Sequence, residues 1–186
     1  MDIGIVKIAE DKDFEKLKHL YDDNNDWRLD YNKPDLSVWT KSVSGISFRM
    51  VKIRTRFPDV LPETLYDVLH DPEYRKVWDT HMIESKDIGF FNPNNDIGYY
   101  SSKDFVLQRS WLDTGIEQLI LNHSVFHKNY PPRKQFVRAT SYLTGYIVRP
   151  SRNGDGSELG YVSHTDPHGK LPVWKIIAKG TKVHIV

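Results

Sequence analysis

Asp71-Pro72-Glu73-Tyr74-Arg75-Lys76-Val77-Trp78-Asp79 combines a helix start at one end with a charge pair along its length. An aspartate ahead of a proline reads as a helix N-cap followed by a residue suited to the first turn. Arg75 and Asp79 then stand four apart, and residues at that spacing are neighbours on one helical face. A guanidinium braced by its own carboxylate can present a fixed fork to a phosphate. Taken alone, such a pair is more often a solvated surface contact of little energetic weight. The surroundings shift that balance, because they hold many short aromatic-rich strands and no catalytic signature.

Upstream, a second short helix is expected from about 62 to 69. Phe14, Leu17, Leu20 and Tyr21 follow helical spacing behind Asp11 and Asp13, acids suited to a helix start. Strands are expected at 27–30 and 36–42, joined by the turn Asn32-Lys33-Pro34-Asp35. From 45 to 57 the residues alternate. Ile46, Phe48 and Met50 share one face, then Val51, Ile53 and Phe57 the other, a change that implies a bulge. Downstream, strands are expected at 82–88, 97–102, 105–112, 117–125, 136–148 and 158–164. Turn chemistry separates them, as in Asn92-Pro93-Asn94-Asn95-Asp96 and Asp113-Thr114-Gly115. Such short connections make neighbouring strands antiparallel. The expectation is one α+β domain over residues 1–186, ending in a long antiparallel meander. Tyr99, Tyr100, Phe105, Trp111, Tyr142, Tyr146 and Tyr161 all fall in its strands, but alternation lets only a subset face an interior.

The bulk numbers narrow the function. A chain of 186 residues, 39% hydrophobic and 27% charged, suits one globular domain able to build a core or enclose a cavity. A formal net charge of +1 argues against a nucleic-acid binder. With no cysteine there is no disulfide, thiolate metal site or cysteine nucleophile to invoke. The opening Met1-Asp2-Ile3-Gly4-Ile5-Val6-Lys7 is not a secretory signal, and no apolar run is long enough to span a membrane. The expected compartment is the cytoplasm, where the Asn122-His123-Ser124 glycosylation match stays idle. Phosphate-binding loops, dinucleotide fingerprints and nucleophile elbows are absent. His123 and His127 share a strand face without converging on a metal. Proline between His164 and His168 prevents the continuous helix that zinc proteases use. No metal, no cofactor and no enzymatic activity are expected.

The stretch from Thr64 to Asp79 resembles the START (StAR-related lipid transfer) domain family. So do Gly98-Tyr99-Tyr100-Ser101, Arg109-Ser110-Trp111-Leu112, Tyr130-Pro131-Pro132-Arg133-Lys134 with Val137-Arg138-Ala139, Thr144-Gly145-Tyr146, and Asp166-Pro167-His168-Gly169-Lys170-Leu171-Pro172-Val173-Trp174. These motifs come in the family's order, and the likeness is greatest to the phosphatidylcholine-transfer-protein-like subgroup. The resemblance implies a helix-grip fold, a curved antiparallel sheet around a cavity holding one lipid. It also implies a carrier of phosphatidylcholine or phosphatidylethanolamine that touches membranes transiently. Sterol or ceramide carriage in the same fold, and an interaction domain without transfer activity, are the alternatives.

By the same resemblance, Arg75 binds the lipid phosphate, Asp79 braces it, and Tyr100, Phe105 and Tyr142 surround the choline. Two departures stand out. Family members carry a proline-containing connection before Phe105, whereas here Ser102-Lys103-Asp104 joins the strands almost directly, implying a strained turn or altered pairing. The family's long C-terminal helix would follow Trp174, but Gly180 and a β-branched tail make a poor helix. A truncated or atypical C-terminal helix is expected.

Overall fold

The computed structural model describes residues 1–79, 82–100, 104–134, 136–152, 154 and 156–168. Its first helix, α1 (Asp11–Asp22), starts where acids favour it: the Asp13 carboxylate accepts from the Glu10 N–H at 3.0 Å and pairs with the Met1 ammonium at 3.1 Å. A hairpin follows, β1 (Arg28–Lys33) and β2 (Leu36–Lys41), then β3 (Met50–Phe57). Two short helices, α2 (Pro62–His70) and α3 (Pro72–Trp78), precede the meander. Its strands are β4 (Ser85–Asn92), β5 (Asn95–Tyr100), β6 (Phe105–Asp113), β7 (Gln118–Ser124), β8 (Thr140–Pro150) and β9 (Ser157–Asp166).

The nine strands among the described residues form one antiparallel sheet in the order β1-β2-β3-β9-β8-β7-β6-β5-β4. Consecutive strands pair as the short connections require. The join between β3 and β9, from Val51↔Ser163 to Phe57↔Ser157, links segments far apart in sequence.

Both faces of the sheet are covered. Leu17 and Tyr21 of α1 pack with Met50, Leu119, Leu121, Leu143, Ile147 and Val162. Leu65 and Leu69 of α2 pack on the opposite face, here called the inner face, with Ile120, Val148 and Leu159. This double cover explains β3. Met50 lies on the α1 side and Val51 on the other, so the apolar set changes face without the expected bulge; the pairing of β3 with β2 and β9 is unbroken. That strand also begins only at Met50, because its partner β2 ends at Lys41. A bulge does occur in β8, between Ser141 and Leu143.

Strand bounds differ from expectation where turns are tighter than composition suggests. Asn92 pairs with Asn95, so β4 runs on to a two-residue turn at Pro93-Asn94. Among the described residues no helix is long and apolar enough to cross a membrane. The expectation of an atypical C-terminal helix falls outside the described residues.

Candidate ligand site

The Asp71 cap is present as the sequence implies: its carboxylate accepts from the Glu73 and Tyr74 N–H groups at 2.8 and 3.1 Å. At the other end of α3, the Trp78 indole donates to the Val68 carbonyl of α2 at 3.1 Å. Cap and indole together fix the helix's rotation and hold Arg75 toward the inner face of the sheet. The Arg75 Nε and Nη2 atoms both donate to one Asp79 oxygen at 3.4 Å. The guanidinium stands 5.1 Å from the Tyr100 ring centre and 5.7 Å from that of Trp78. Only 21% of the Arg75 side chain and 19% of the Asp79 side chain are exposed. This is not the solvated pair that spacing alone would favour.

Tyr146 and Tyr161 oppose each other in the β8–β9 ladder, with ring centres 5.2 Å apart. Burial pushes both phenols up, Tyr161 to about 12, against the opposing pull of the Arg75 charge. Both therefore stay neutral at physiological pH, offering aromatic faces and O–H groups beside a fixed cation. Next along the sheet, Arg109 and Asp96 form a two-pronged buried pair, and a further Arg109 nitrogen donates to the His70 carbonyl at 2.9 Å. That bond ties the end of α2 to β6. The whole arrangement offers an anion a braced guanidinium, and offers a cation several aromatic faces.

Of the expected site residues, Arg75, Asp79 and Tyr100 come together. Phe105 opposes Tyr100 directly in the β5–β6 ladder, so the two side chains share a face. Tyr142 is the exception. The β8 bulge turns it toward the α1 side, where it stacks with Phe48 at 5.7 Å and meets the tilted His164 ring at 5.2 Å, and 38% of it is exposed. His164 pairs with Leu143, which lies under α1, so this trio is on the other side of the sheet from Arg75. Tyr146 and Tyr161, not Tyr142, are the β8 and β9 tyrosines on the Arg75 side of the sheet. Gly145, whose added Cβ would meet Leu17 at 2.5 Å, marks the α1 face of β8 and thereby assigns Thr144 and Tyr146 to the inner one.

At the short connection before β6, Asp104 has φ 64°, a left-handed conformation that aspartate tolerates better than most residues. Its buried carboxylate receives Arg138 Nε at 2.8 Å and Nη2 at 3.1 Å. Tyr100 and Phe105 pair regularly across the connection, so β5 and β6 keep an ordinary ladder right up to it.

Residues 7–183 match the family model for the START domain. The sequence is 40% identical to START domain-containing protein 10 of Mus musculus over 180 residues, which is 92% of this chain and 62% of that one. It is 21% identical to phosphatidylcholine transfer protein of Rattus norvegicus, over 81% of this chain and 75% of the relative. The crystal structure of human STARD10 superposes with a TM-score of 0.84 at 39% identity, covering 95% of this chain and 75% of that one. The chain spans about three-fifths of the length of the mouse relative.

Proposed function

Because this chain belongs to the START domain family of lipid-transfer proteins, we propose that it binds a single phospholipid, phosphatidylcholine or phosphatidylethanolamine, and carries it between membranes. The observation that carries this reading is Arg75, turned to the inner face, braced by Asp79 and laid against the Tyr100 ring. A guanidinium in a partly desolvated aromatic site is suited to a phosphodiester, whose two free oxygens accept its parallel N–H groups. Tyr100, Tyr146 and Tyr161, with Phe105 beside them, offer faces to the positive end of the head group. Each good cation–π contact contributes roughly 0.5–2 kcal/mol. Acyl chains supply most of the gross driving force, at about 0.8 kcal/mol per buried methylene. The head-group site therefore selects while the apolar surface retains. The similarity to a phosphatidylcholine transfer protein supports a phospholipid over a sterol. The role is that of a carrier working in the cytoplasm by transient contact with membrane surfaces, with no chemical step.

Labelled-lipid transfer between liposomes tests this. Charge-assisted hydrogen bonds contribute about 1.5–3 kcal/mol each, so Arg75→Ala is expected to lower phospholipid uptake tenfold or more. Lys76 points to solvent and pairs with Glu73 at 2.9 Å, so Lys76→Ala should stay within about twofold of the parent, as surface pairs do. Equal losses from the two substitutions would overturn the assignment.

A further inference from the structure

Between two of the phenols that feel the Arg75 charge lies a polar side chain with an unused oxygen. Tyr146 is in β8 and Tyr100 in β5, and both interact electrostatically with Arg75. Following the pairing across the sheet, the line joining them crosses β7 at Asn122 and β6 at Leu107. Asn122 is 4% exposed, and its Oδ1 is buried with no hydrogen-bond partner. A buried carbonyl oxygen left unpaired costs about 1–3 kcal/mol, so its presence here calls for a ligand donor.

The neighbouring hydroxyls have the same requirement. Asn122 pairs with Thr144, Thr144 with Ser163, and Ser141 with Thr165, which sets all five on the inner face. Four O···O contacts link the hydroxyls: Ser141–Thr144 at 2.9 Å, Thr144–Ser163 at 3.2 Å, Thr144–Thr165 at 3.3 Å and Ser163–Thr165 at 3.0 Å. Each hydroxyl owns one proton. The four contacts therefore use all four protons, and with Ser163 also beside the Tyr161 phenol, what remains to a ligand is lone pairs on Ser141 and Thr165. A band of hydroxyl lone pairs with one amide oxygen, on the same face as Arg75, is suited to a head group that donates.

We propose that Asn122 and these hydroxyls form a second polar subsite that accepts N–H donors from a primary ammonium, and so selects ethanolamine over choline head groups. The inference rests on the phospholipid-carrier reading above. A trimethylammonium group has no N–H to offer and would leave Asn122 Oδ1 unpaired beneath it. An ethanolammonium has three donors and satisfies it.

The test is uptake from liposomes of phosphatidylethanolamine, its N-monomethyl and N,N-dimethyl forms, and phosphatidylcholine, all with the same acyl chains. Uptake should fall as N–H groups are lost. The two ends of the series should differ about tenfold, as one hydrogen bond to a charged donor implies. Asn122→Leu should collapse that ratio to within about twofold. Ser163→Ala, which removes an acceptor and frees a proton, should reduce it too and serves if the first variant does not fold. A parent protein that takes all four lipids equally overturns the proposal, as does an Asn122→Leu variant that keeps the parent's ratio while losing both lipids. A parent that takes up none of them would instead sink the carrier reading itself.

Discussion

Arg109 and Asp96 meet on the inner face with 5% and 3% of their side chains exposed, and Arg109 Nε donates to Asp96 at 2.9 Å. Stripping water from two charges costs several kcal/mol, which mutual attraction repays only while both partners remain. Asp96→Ala is therefore expected to lower unfolding free energy by about 3–5 kcal/mol in urea titration. A loss under about 1 kcal/mol would show that this pair does not hold the sheet to α2. Lys52 shows another use of charge. It is fully buried, donates to the Tyr21 and Asp23 carbonyls at the end of α1 at 3.1 and 2.7 Å, and lies 4.5 Å from the Trp27 ring centre. Nothing in its local sequence distinguishes it from an exposed strand lysine.

At the scale of elements, α1 depends on two glycines in the strands beneath it. A Cβ at Gly145 would meet Leu17 at 2.5 Å, and one at Gly160 would meet the Tyr21 ring at 2.5 Å. Neither neighbour moves freely: Leu17 is in the core, and the Tyr21 hydroxyl donates to Glu158 at 2.8 Å while accepting from Arg54 at 3.0 Å. Gly160→Ala should therefore lift α1 or displace that ring, costing about 1–3 kcal/mol in chemical denaturation, as overpacked cores do. A loss under about 0.5 kcal/mol would show that α1 is not seated this closely. The apolar stripe of α1 was legible in the sequence because helical spacing is a local signal. So was α3, whose cap and first-turn proline sit side by side. The β8 bulge was not, since inserting one residue into a strand leaves no local trace, and it places Tyr142 on the α1 face, across the sheet from Arg75.

For the molecule as a whole, buried His123 and half-buried His70 and His164 make stability depend on acidity. Burial holds His70, His123 and His164 below the usual imidazole value of 6.5, with the Arg109 charge adding to the effect at His70 and Lys16 at His164. Below pH 6.5 the unfolded chain takes up protons that the folded chain still refuses, so stability falls as pH falls. Unfolding free energy should decline between pH 6.5 and 5, before most carboxylates titrate, and replacing His123 by Gln should flatten that slope. A level profile over the interval would contradict the burial assigned to these rings.

The amino-acid order by itself determined the α+β class, the antiparallel run of neighbouring strands, the capped α3 helix and the Arg75–Asp79 spacing. Each depends on residues a few positions apart, where backbone geometry and periodicity act directly. Only the tertiary structure decided that β3 pairs with β9, that both faces of the sheet are covered, and that Arg75 faces Tyr100, Tyr146 and Tyr161 rather than Tyr142. Those outcomes depend on register between strands distant along the chain, and packing across the whole sheet selects it.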